Sequence, residues 1–313
     1  MAAVNWRPVI IFLVLAYALA WLAALPLWLG GGLRDPLFGV YAVLMMFTPA
    51  VAALIVSRFV DRPASIPREL GLVEVRPVGR FLLYLGLGLV VPVVLGMGAL
   101  IVGAWLGVYP ADFENFSGFE AALREQTEAV GAPMPAIPIG ILVAAQFFNI
   151  FIGTIINTVP ALGEELGWRG WLLPRLMPLG APAAIVVSGV VWGLWHAPLI
   201  LLGYNYQDGP GWLGVLAMCA MCMVFGGVFA WLRLRSHSVW PAALAHGALN
   251  ASAGLMFVFV MAGSGFSTFH AGVLGWSGWI LPLLLIIALG LAGQFRPAAS
   301  YKVRRTQSPT AKP

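Results

Sequence analysis

The stretch "IPIGILVAAQFFNIFIGTIINTV" occupies Ile137–Val159 and contains no charged residue. "PALGEELGWRGWLLP" follows directly, Pro160–Pro174, and brings two adjacent glutamates and an arginine. Beyond it, from Leu176 to Trp231, Asp208 is the only acidic residue and there is no Lys or Arg. About 20 predominantly apolar residues are needed to cross the hydrocarbon core of a bilayer. The stretch therefore reads as a transmembrane helix that carries its charge at one end.

The rest of the chain agrees. It is 61% hydrophobic and 9% charged, against about 25% charged residues in soluble domains. Apolar runs at 8–29, 37–57, 81–107, 138–160, 183–203, 212–232, 240–262 and 274–293 predict an all-α integral membrane protein of about eight transmembrane helices. The first run exceeds the apolar core of a signal peptide and reads as an uncleaved helix. With the N-terminus in the cytoplasm, only Arg34 and Arg124 of the 17 basic residues fall outside. Both termini are thus expected to be cytoplasmic. The net charge of +5 then reflects topology rather than nucleic-acid binding; the partners expected are membrane lipid and a substrate. The chain divides into helices 1–3 with their loops (1–137), a core of helices 4–7 (138–262), and helix 8 with a polar tail expected to be disordered from Gln294 (263–313).

The loop 58–80 is basic and proline-rich, and suits a cytoplasmic connector near anionic headgroups. The loop 109–137 is acidic. Its "SGFE", Ser117–Glu120, has a capping-box pattern that predicts a short helix over 118–129. Phe113, Phe116 and Phe119 could dip into the membrane interface. Cys219 and Cys222 sit in an apolar run without polar neighbours, so packed, reduced thiols are expected.

Charge inside a membrane span is costly and marks function by default. At about 100° per residue, Arg169 falls about 40° from Glu165 and about 140° from Glu164. Glu165 and Arg169 form an i,i+4 pair, and Glu164 is left without a cation of its own. "WGLWHAP" adds His196, one turn past Trp192; "AHGALN" adds His246 and Asn250 on one face. A carboxylate, two imidazoles and a carboxamide on three helices suit hydrolysis. The glutamate takes a proton from water, the histidines hold that water or a metal, and the asparagine donates to an oxyanion.

These residues resemble a known family. "EELGWR" fits its E-E-x-x-x-R motif at Glu164, Glu165 and Arg169. "WGLWH" fits F-x-x-x-H at His196, with Trp192 in the aromatic place, and "HGALN" fits H-x-x-x-N at His246 and Asn250. The chain is similar, over roughly 140–262, to prokaryotic members of the CAAX-protease and bacteriocin-processing family of intramembrane endopeptidases, relatives of the eukaryotic Ras-converting enzyme. The resemblance implies a multi-pass protein of the prokaryotic inner membrane acting on a peptide or lipidated peptide. It implies Glu164 as base, His196 and His246 as water-positioning groups, Asn250 as oxyanion donor, and Glu165, Arg169 and Trp192 as support. The family has been described both as metalloproteases and as metal-free glutamate-dependent proteases. If zinc is bound, His196, His246 and Glu164 are its expected ligands. A catalytically silent immunity or scaffold protein and an ion-coupled transporter are the alternatives. Transporters often carry paired repeats, and none is found here.

Overall fold

The computed structural model describes residues 3–295. The tail expected to be disordered lies, from Arg296 onward, outside the described residues. The described residues are all-helical apart from loops and one isolated bridge between Ala111 and Val260. The principal helices are α1 (Trp6–Leu29), α2 (Phe38–Val56), α3 (Val78–Trp105), α4 (Ser117–Ala129), α5 (Ile139–Glu165), α6 (Ala181–Trp195), α7 (Gly211–Ser236), α8 (Trp240–Ser252) and α9 (Ile280–Leu291).

Among the described residues, five helical stretches are long and apolar enough to cross a membrane: Trp6–Leu29, Phe38–Asp61, Val78–Trp105, Ile139–Leu179 and Gly211–Ser236. The other three predicted spans contain shorter helices, and each has a local cause. α6 stops at Trp195 because Pro198 has no N–H for the carbonyl of Leu194; the chain resumes as one turn, Ala197–Ile200. α8 ends at Ser252. A turn follows at Leu255–Val258, and the chain then runs extended beside the outer loop, where the Phe259 carbonyl accepts the Asp112 amide at 2.8 Å and the Pro110 carbonyl accepts the Met261 amide at 2.8 Å. An apolar run rich in aromatic and β-branched residues fits either conformation, and periodicity does not separate them. The last run begins with a 3₁₀ turn, Trp276–Trp279, before α9.

The outer loop packs on this extended segment. The Phe113 and Phe116 rings lie 5.4 and 5.9 Å from that of Phe259, and Phe119 joins the same apolar cluster, so these rings cover protein. α4 forms where the sequence predicts it, but without the capping box. The Ser117 hydroxyl accepts the Ala262 amide, and Glu120 pairs with Arg124. Asp112 takes over the cap. The Ser117 side chain and the amides of Asn115 and Ser117 hold its carboxyl down at about 2.

Two contacts position the site. α2 crosses the end of α5 and the turn that follows it at two glycines: a Cβ on Gly163 would lie 2.8 Å from the Met46 carbonyl oxygen, and one on Gly167 2.4 Å from Pro49 Cβ. α5 also packs along α8. There a Cβ on Gly247 would lie 2.8 Å from the Thr154 carbonyl oxygen. The basic loop docks on the core as well. Leu70 is fully buried, the Gly71 carbonyl accepts the Val239 amide at 3.0 Å, and Arg175 bridges Asp61 and Glu69.

Candidate active site

Glu164 and Glu165 are the last two residues of α5, and the chain continues as a π-helix over Leu166–Leu172. Such wide turns are rare and frequent at functional sites. The α-helical angle assumed from sequence therefore does not run past Glu165. The pair forms all the same: Arg169 Nη1 donates to Glu165 Oε1 at 2.7 Å, with the side chains 2% and 0% exposed. The Arg169 guanidinium lies 4.1 Å over the Trp192 ring and 5.2 Å from the Phe229 ring centroid. Its own carbonyl accepts Arg233 Nε at 3.1 Å. Gly226 belongs to this arrangement, since a Cβ there would come within 2.9 Å of Arg169 Nη2. No motif spacing pointed to it.

Glu164 has a different partner. Its Oε2 accepts the indole N–H of Trp192 at 2.7 Å. Phenylalanine, the residue the resemblance leads one to expect at this position, has no such donor. Trp192 also supplies its backbone carbonyl to His196 Nδ1, 2.9 Å away, and meets the His246 ring edge-on at 5.3 Å. Thus Trp192 touches Glu164, Arg169, His196 and His246.

The histidines are oriented alike. A carbonyl oxygen only accepts, so His196 Nδ1 carries the hydrogen. His246 Nδ1 lies 3.1 Å from Glu165 Oε1, and a carboxylate facing it likewise requires N–H there. When either ring is neutral, Nε2 is then its unprotonated nitrogen. That Glu165 serves Arg169 and His246 together was not evident from spacing, because the partner comes from another helix.

Glu164, His196, His246 and Asn250 all line one cavity of about 320 Å³, together with Asn157, Trp192 and an apolar wall that includes Met45, Met218 and Met221. Glu164 and His246 are buried, His196 is half-buried and Asn250 is exposed. Cys222 also borders the cavity, and both cysteines are buried and unbridged. Zinc at a catalytic site wants three protein ligands. Among the described residues, no group of three His, Cys, Asp or Glu stands close enough together to hold a metal ion. As placed, the expected set does not form a zinc site.

Fold and site together define a helical, multi-pass membrane protein with a charged pair and a glutamate–histidine cavity inside its bundle. Comparison with known proteins gives the relationship. Residues 145–252 match the sequence profile of the family described as Type II CAAX prenyl endopeptidase Rce1-like, and this segment contains every residue of the three motifs. The chain is also 29% identical over 101 residues to a protein of Methanococcus maripaludis named CAAX prenyl protease 2. That similarity covers 30% of this chain and 37% of the relative. The resemblance carried by the motifs is upheld over the segment that builds the cavity.

Proposed function

We propose that this protein is an intramembrane endopeptidase that hydrolyses a peptide bond of a prenylated or otherwise membrane-associated peptide. One observation carries the reading. Four residues from three helices, Glu164, His196, His246 and Asn250, meet in a single cavity, in a chain where polar side chains are otherwise few. The name of the archaeal relative supports the reaction type, and the methionine-rich wall suits an isoprenoid chain.

The chemistry runs through side chains and water. With Oε2 held by Trp192, Glu164 Oε1 takes one hydrogen of a water molecule, and a histidine Nε2 accepts the other. The water oxygen bonds to the peptide carbonyl carbon as its proton passes to Glu164. The carbonyl becomes an oxyanion that the Asn250 carboxamide N–H groups stabilise. Glu164 then returns the proton to the leaving nitrogen as the C–N bond breaks, giving a carboxylic acid and an amine; the acid's remaining proton passes to the amine, leaving a carboxylate and an ammonium group. Purified protein in detergent, given an S-farnesylated peptide and its unprenylated twin, is expected to cut at least the first. Failure to cut either, with the fold intact, favours the silent immunity or scaffold alternative.

Trp192→Phe probes the grip on the base. The ring over Arg169 remains and only the donor to Glu164 is lost. A hydrogen bond to a charged group contributes about 1.5–3 kcal/mol, so kcat is expected to fall about tenfold or more, with KM little changed. An unaltered kcat would remove Trp192 from the mechanism.

The proposed orientation puts both termini in the cytoplasm, by the distribution of arginine and lysine. Val73 is 51% exposed and Ala122 is exposed. A cysteine at 73 is expected to react with an impermeant thiol reagent only from the cytoplasmic side, and one at 122 only from outside. The reverse pattern inverts the topology.

A further inference from the structure

Asn157 lies outside all three motifs, yet it borders the same cavity as Glu164 and Asn250. It stands seven residues before Glu164, almost two α-helical turns, on the same face of α5 and about 10 Å along the axis. Asparagine within an apolar span commonly serves as interhelical glue, but here it does not. Asn157 Nδ2 donates to the Gly153 carbonyl of its own helix at 2.8 Å. Since that oxygen only accepts, the amide orientation is settled, and Oδ1 is left as an acceptor without a partner among the described residues. Across the cavity, the Asn250 carboxamide makes no hydrogen bond among the described residues. α5 and α8 run together there, with a Cβ on Gly153 reaching 3.3 Å from Ala251 Cβ. Two carboxamides thus line one cavity, and neither joins one helix to another.

An extended peptide presents a backbone N–H and C=O at every residue, advancing about 3.4 Å each time. Away from water those groups need partners. We propose that Asn157 is a substrate-binding residue. Its Oδ1 accepts a backbone N–H of an extended peptide two to three residues from the scissile bond, while Asn250 faces the bond itself. About 10 Å along α5 corresponds to about three residues of extended chain. The ligand class is peptide backbone, so the contact is indifferent to side-chain sequence. This rests on the endopeptidase reading for the position of the bond.

The test separates binding from cleavage. In a Glu164→Gln background, binding of a fluorescein-labelled, S-farnesylated decapeptide ending Cys-Val-Ile-Met is followed by anisotropy in detergent micelles. A set of the same peptide carries a single backbone N-methyl group at successive positions. One N-methyl, two to three residues from the scissile bond, is expected to weaken binding about tenfold, the size of one hydrogen bond. Asn157→Leu, nearly isosteric and apolar, is expected to weaken the unmodified peptide by the same factor and to lose all sensitivity to that N-methyl group. Asn157→Ala serves if the leucine variant does not fold. Equal binding by the variant, or an N-methyl profile that survives it, overturns the proposal, as does a peptide that does not bind at all. Cleavage by wild type with binding independent of Asn157 sinks this inference and leaves the endopeptidase. Binding that depends on Asn157 without cleavage by wild type does the reverse.

Discussion

Glu164→Gln is expected to abolish peptide cleavage and to leave thermal stability close to that of wild type. The two outcomes have separate causes. Glutamine keeps the shape of glutamate, and its carbonyl oxygen accepts the Trp192 indole N–H as Oε2 does at 2.7 Å. The buried side chain becomes neutral, and a buried amide is less costly than a buried carboxylate. Nothing in the packing therefore demands the charge. The reaction does demand it, because an amide cannot take a proton from water. General-base catalysis contributes roughly 10²–10⁴-fold, and loss on that scale brings turnover to the assay floor. Single-turnover cleavage of the farnesylated peptide, beside a melting curve of the same preparation, checks both. Cleavage at the wild-type rate would falsify the assignment of Glu164 as base and with it the proposed mechanism.

Much of this architecture was legible in the sequence, and the illegible parts share a physical reason. Runs of 20 or more apolar residues with charge at their ends report length and polarity, and those are what a span requires. Hence α1, α2, α3, α5 and α7 fall where the runs do. The runs at 183–203 and 240–262 mislead, because Pro198 cuts one helix short and the other run breaks after Ser252 into a single turn, Leu255–Val258, and a segment from Phe259 that pairs with the outer loop. The site shows the same division. Spacing along one helix paired Glu165 with Arg169, and the three motifs named the residues that meet in the cavity. Partners across helices were not visible. The Trp192–Glu164 bond joins residues 28 apart and the His246–Glu165 contact residues 81 apart, and no periodicity encodes either. The π-helix at Leu166–Leu172 has no sequence signal that periodicity reads. Asn157 is one of three carboxamides in its apolar run, with Gln146 and Asn149, and none matches a catalytic pattern; its place on the cavity wall distinguishes it.

Arg169→Ala is expected to cause the largest loss of stability. Arg169 and Glu165 are 2% and 0% exposed and 2.7 Å apart, so water screens them little. Removing one partner of a buried ion pair leaves an uncompensated charge, at a typical cost of about 3–5 kcal/mol. The guanidinium also fills the space between the Trp192 and Phe229 rings, and its loss opens a void there. Adding Glu165→Gln removes the orphaned charge, so the double variant is expected to be more stable than Arg169→Ala alone. Such recovery is the mark of coupling in a double-mutant cycle. Activity follows a different course. Glu165 Oε1 faces His246 Nδ1 at 3.1 Å as well, and a neutral amide holds that imidazole less firmly than a carboxylate. The void beside Trp192 persists too, and Trp192 holds Glu164. Stability is therefore expected to recover in the double variant while cleavage stays low. Chemical denaturation in mixed micelles and kcat on one peptide, measured for all four proteins, decide the matter. Strictly additive stability losses would dismiss the ion pair as a coupled unit. Recovery of both quantities together would show that Glu165 acts only on the fold and does not orient His246.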